Sequence, residues 1–168
     1  MRIATLLLFL LAASSPDPMA GNWQADLKAS TLPAGFPDLR SQTMVLRFFS
    51  GKIQCITERV DVKGVKTRAA FSASVDGKRY PVTGMPDIVA VSMQKSAGYL
   101  EADFFFPTSP AFSYRLQLSG DGNTLTIISI DPIKRTPLHA RIVYHRQASS
   151  AKPGGEAPAR ALPSMVGF

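Results

Sequence analysis

The side chains best suited to chemistry in this sequence are few. Glu101 and Asp103 lie two residues apart, which places them on one face of a strand. Two carboxylates flanking a sugar linkage could serve glycoside hydrolysis. The alternate residues Leu100, Ala102, Phe104 and Phe106 are apolar, so this strand turns its carboxylates to water. His139 and His145 share a face six residues apart, a long spacing for a two-residue metal clamp, and no third ligand accompanies them. Cys55 is the only cysteine, which excludes an intramolecular disulfide, and no histidine lies near it to make it a nucleophile. Neither a phosphate-binding loop nor a Gly-x-Ser-x-Gly elbow occurs. We therefore expect a protein that is not an enzyme and carries no metal and no cofactor.

The elements that position these residues are strands. Turn signals recur at Ser50-Gly51, Lys63-Gly64, Asp76-Gly77, Ala97-Gly98 and Asp121-Gly122. Asp-Gly pairs reach positive φ at low cost and close hairpins. Between the turns, apolar and polar residues alternate, as they do in antiparallel sheets with one wet face. Phe112, Tyr114, Leu116 and Leu118 oppose Ser113, Arg115 and Gln117. Ala69, Phe71, Ala73 and Val75 oppose Arg68, Ser72 and Ser74. Leu138, Ala140, Ile142 and Tyr144 oppose His139, Arg141 and His145. Further strands are predicted near residues 22–29, 44–50, 53–62, 78–82, 87–95 and 123–131. Glu58 interrupts the apolar set Ile56, Val60 and Val62, which predicts a bulge there. No stretch after the leader sustains a helical apolar period. The expected fold is all-β, an antiparallel up-and-down closed barrel of about 8–10 strands.

Parity also assigns an interior. Phe48, Phe71, Phe104, Phe106, Phe112 and Tyr114 take the inward position of their strands. They could line a cavity for a small hydrophobic ligand, or fill a packed barrel that docks another component of the cell envelope. Trp23 and Arg146 share inward parity in the first and last strands. If those strands pair antiparallel, a guanidinium meets an indole at one end of the barrel, worth about 0.5–2 kcal/mol.

Gly21-Asn22-Trp23 resembles the Gly-x-Trp signature of lipocalins and their calycin relatives. Arg146 resembles the basic residue that packs over that tryptophan in the family. Asp76 to Gly84 is similar to a segment common in exported bacterial proteins of this size. The resemblance covers residues 21–147. It implies a lipocalin-like barrel that binds a small hydrophobic ligand in its interior.

The remaining segments concern targeting and partners. Arg2 precedes an apolar run, Ile3 to Ala13, and Ala12-Ala13-Ser14 offers small residues for cleavage. Residues 1–14 are therefore expected to be a signal peptide, and the protein to be secreted or periplasmic. The run is too short for a mature transmembrane helix. Residues 148–168 are rich in Pro, Gly and Ala and are expected to form a flexible tail. Removing Arg2 with the leader lowers the formal charge from +7 to +6. The basic residues are scattered rather than clustered, which argues against nucleic acid as a partner.

Overall fold

A computed structural model describes residues 17–33 and 36–148. The predicted signal peptide and most of the predicted tail lie outside them.

Ten antiparallel strands follow one another along the chain: β1 (Gly21–Thr31), β2 (Leu39–Phe49), β3 (Lys52–Asp61), β4 (Lys66–Ser74), β5 (Arg79–Thr83), β6 (Ala90–Ser96), β7 (Tyr99–Phe105), β8 (Pro110–Leu118), β9 (Thr124–Ile130) and β10 (Pro137–Arg146). Each pairs with its sequence neighbour, and β1 closes on β10, so the sheet is an up-and-down barrel with no free edge. The closed all-β barrel expected from the alternation is therefore present. In the closing pair, Trp23 stands opposite Arg146 and Ala25 opposite Tyr144.

The two ends of the barrel are built differently. At one end the connections are short. Ser50 (φ 48°) and Gly51 (φ 73°) make a two-residue turn between β2 and β3. The β4–β5, β6–β7 and β8–β9 hairpins turn at the same end, and the chain enters β1 and leaves β10 there. The opposite end carries connections that are longer on average: 32–38, 62–65, 84–89, 106–109 and 131–136. Gly84 (φ +75°) is needed in one of them, because a Cβ there would run into the Arg68 carbonyl oxygen.

The inward faces merge into one core. Trp23, Leu46, Ile53, Val91, Met93, Leu100, Leu125 and Tyr144 are all essentially inaccessible to solvent. Burial at this scale is the main favourable term for a domain lacking a disulfide.

Three local expectations need correction. No bulge interrupts β3 near Glu58, since its pairing with β4 runs unbroken from Lys52↔Ser74 to Val60↔Lys66. The inward set of β3 is Ile53, Cys55, Thr57 and Arg59, and Ile56 shares the outward face with Glu58. Strand β2 begins at Leu39 rather than near Met44. Leu138, assigned inward by parity, is exposed.

Candidate functional site

At the short-turn end, Trp23 and Arg146 plug the barrel beside the β1–β10 seam. Trp23 is 1 % exposed, and its Nε1 donates to the Met19 carbonyl oxygen at 3.1 Å. The Arg146 guanidinium carbon lies 4.3 Å from the centre of the Trp23 ring system. All three guanidinium nitrogens are in use. Nε donates to Gly122 O at 2.8 Å, Nη1 to Ala20 O at 2.6 Å and Nη2 to Pro18 O at 2.6 Å. Arg146 thus ties the β8–β9 turn and the entering chain across the indole. Gly21 makes room for it, because a Cβ there would come within 2.6 Å of Nη1.

The six aromatic residues expected to line the interior do not stay together. Phe71, Phe104, Phe112 and Tyr114 form one cluster. Phe104 stacks on Phe112 at 4.8 Å between centroids and meets Phe71 and Tyr114 edge-on at 6.0 and 5.8 Å. Phe48 is at the other end of the barrel, facing the groove beside the Ser50-Gly51 turn. Phe106 is not an interior residue. The register shifts between Phe104 and Phe105, β7 ends at Phe105, and Phe106 is 40 % exposed in the following loop. A bulge resets parity, so counting by twos from Phe104 fails at this point.

The aromatic cluster faces the long-loop end, and the interior beneath it is largely filled. Some 60 Å³ remain among Met44, Cys55, Phe71, Met93, Phe104, Tyr114 and their neighbours. A second, shallower cavity of about 310 Å³ lies at the mouth. Phe36, Ala111, Phe112, Ile130, Leu138 and Ala140 give it an apolar wall. The two spaces share Arg59, Met85 and Tyr114, so one adjoins the other. Neither is lined by an aspartate or glutamate. The largest hollow, about 940 Å³, is an open groove at the short-turn end. Hairpin tips, Lys52 and the Lys95–Asp17 pair border it, together with the apolar residues Phe48, Ile53, Val75, Leu100 and Leu118. The mouth is the better candidate, because it joins apolar walls to fixed polar groups.

Arg59 lines both spaces, while Gln42 and Tyr144 line the inner one and hold Arg59 from beneath, a polar set that the aromatic pattern did not reveal. The β2–β3 register sets Gln42 directly opposite Arg59. The Gln42 side-chain oxygen accepts from Arg59 Nε at 3.1 Å, and its amide donates to Tyr144 Oη. Arg59 lies over the Phe36 ring with Cζ 4.9 Å from the centroid. Burial pushes the Tyr144 hydroxyl well above its ordinary range, partly offset by the Gln42 hydrogen bond and the Arg59 charge. Burial likewise raises Tyr114, and Arg59 again pulls downward. Cys55 is pushed up to about 11 by burial, so the thiol stays protonated at neutral pH and is a poor nucleophile.

The carboxylates on the outside of β7 are occupied. Glu101 pairs with Arg115 at 2.8 Å and with Arg135 at 2.6 Å, and Asp103 pairs with Arg135 at 2.6 Å. Burial opposes ionisation of Glu101, but the two arginines hold its carboxyl below the usual range. Arg135, at φ 58°, reaches from the β9–β10 loop across β8 to make these contacts. They form a strap on the outer wall. His145 lies 3.5 Å from Asp26, and no group of three metal-ligating side chains occurs among the described residues.

These residues define a closed, antiparallel, ten-strand up-and-down barrel, a shape compatible with a lipocalin-like one. Neither a protein-family model nor a curated protein matches the chain.

Proposed function

We propose that the protein is an exported, lipocalin-like binding protein rather than an enzyme, and that it takes a small, largely apolar ligand at the long-loop mouth. The observation that carries this reading is the apolar cavity of about 310 Å³ adjoining the Phe71–Phe104–Phe112–Tyr114 cluster. That volume is at the low end of ligand pockets, roughly 300–1,000 Å³. The deep interior is too full to hold the ligand body, so the site is the mouth rather than the barrel centre.

A fluorescent fatty-acid analogue should bind with saturation. Ala140→Trp, which places an indole in the mouth cavity, should abolish that binding and leave the fold intact. Unchanged binding to the variant would place the site elsewhere.

A second reading has its own support. Val62, Val65, Val89, Phe106, Ile133 and Leu138 are exposed, and all belong to the long-loop end. A filled barrel with an apolar rim suits docking to another envelope component. Absence of saturable binding across a panel of apolar ligands would favour it.

A further inference from the structure

Two arginines of this barrel take inward positions and lie over aromatic rings, Arg146 over Trp23 and Arg59 over Phe36. Their surroundings differ in one respect. Arg146 spends every guanidinium nitrogen on a backbone carbonyl. Arg59 spends only Nε, on Gln42, among the described residues. Among the described residues no carboxylate lies within ion-pair distance of it, although Glu58, Asp61 and Asp38 are close in the chain or at the same end. Glu58, its neighbour in the chain, points to the outer face and pairs with Arg68, and Asp61 accepts from the Val65 backbone N–H.

A half-buried guanidinium without a counter-charge is an expensive thing to keep at the edge of an apolar cavity. Its geometry is fixed by two contacts, one of them braced from behind. Gln42 holds Nε, Tyr144 holds Gln42, and Phe36 supports one face of the guanidinium plane. What remains is the Nη1/Nη2 edge, a planar pair of donors that matches the two oxygens of a carboxylate. Among the described residues, Arg59 is the one charged side chain that lines either cavity.

We infer that Arg59 is the anion-binding group of the mouth, and that the ligand is an amphipathic acid with one carboxylate and an apolar body. The carboxylate accepts from Arg59 Nη1 and Nη2. The body lies against Phe36, Phe112, Leu138 and Ala140. Arg59 is then a specificity residue: the walls hold any apolar group of suitable size, and the guanidinium selects the acid. The assignment deepens the binding function proposed above and rests on it.

Decanoate and decanol separate the two claims, because they share a chain and differ in the head group. Isothermal titration of the purified barrel at neutral pH should show decanoate binding tenfold to about a hundredfold more tightly than decanol, the range expected of a hydrogen-bonded charge pair. Arg59→Met should remove the preference and leave decanol affinity within about twofold. Equal affinity of the wild-type protein for the two would overturn the role of Arg59 while leaving the apolar site standing. Binding of neither would overturn the site itself, and the head-group assignment with it. The wild-type comparison stands even if the variant does not fold, and a folded variant that keeps its preference would overturn the assignment.

Discussion

The two ends of this barrel use the same residue types for opposite purposes. At the short-turn end, Trp23 is fully buried and Arg146 lies over it, bonded to three carbonyls from two separate segments. At the long-loop end, Phe36 and Arg59 repeat the ring and guanidinium, but the ring comes from a loop and two of the arginine's nitrogens find no partner among the described residues. The first arrangement is saturated. The second is unsaturated and opens on a cavity. Stability should therefore depend on the first end and ligand recognition on the second. An inward arginine in a small barrel is thus not informative in itself. The number of its donors already in use tells a brace from a binding group.

The largest effect should come from the short-turn end. Trp23→Ala removes the biggest buried ring and leaves a void where all the surrounding groups are held in place. A loss of about 3–5 kcal/mol is expected, read as a fall in the urea midpoint with little change in slope. A loss under about 1 kcal/mol would mean that the ring is not the plug and would break the contrast between the ends.

The next effect measures how far water enters from the mouth. Cys55 lies on the inward face of β3 between the two ends. Its pKa is raised from 9.0 to about 11 by burial. The unfolded chain therefore ionises first as pH rises. The stabilisation held by the neutral thiol is complete below about pH 9, falls above it and is gone beyond about pH 11, a total of roughly 2–3 kcal/mol. Thermal melts between pH 8 and 11 should show this decline, superposed on smaller losses as the raised Tyr114 and Tyr144 hydroxyls begin to ionise in the unfolded chain. Cys55→Ala should flatten the part between 9 and 11. If it leaves the curve unchanged, the interior is wet and the barrel is open along most of its length. A thiol-reactive disulfide reagent should correspondingly label the native protein only at the rate of unfolding.

Much of the architecture could be read from alternation alone, and the limits of that reading fall at the mouth. Strands β7, β8 and β4 were legible because one face is apolar and the other polar. The closure of β1 on β10 was legible because Trp23 and Arg146 share parity. Gln42 and Arg59 were not, because each places a polar residue on the inward face. Gln42 hid the first half of β2, which reads Leu-Arg-Ser-Gln-Thr. Arg59 and Thr57 made β3 look bulged, since its outward face, with Ile56 and Val60, is as apolar as its inward one. One signal could have found both. The two-residue turn at Ser50-Gly51 fixes the register of β2 and β3, and counting outward from it sets Gln42 opposite Arg59. Phe106 was misplaced for a different reason, the register shift after Phe104, which no periodic pattern encodes.

The smallest effects are the most pointed, because they compare the two arginines directly. Methionine in place of either keeps much of the volume and removes the donors. At Arg146 the substitution leaves Gly122, Ala20 and Pro18 carbonyls without their partner and frees the entering chain from the indole. Some of these oxygens can find water, so a loss of about 2 kcal/mol is expected rather than the full value of three charge-assisted bonds. At Arg59 only one bond is lost, that to Gln42, together with a contact to Phe36 worth about 0.5–1 kcal/mol. Against that loss stands relief from holding an unpaired charge beside apolar walls. The space vacated by the guanidinium also opens on the mouth, so water can reach the Gln42 oxygen. The net change at Arg59 should be under about 1 kcal/mol, in either direction. Urea titration of Arg146→Met and Arg59→Met, measured side by side, decides the matter. If Arg59→Met is the more destabilising, the guanidinium at the mouth is a brace like its counterpart, and the functional contrast between the two ends of the barrel is lost.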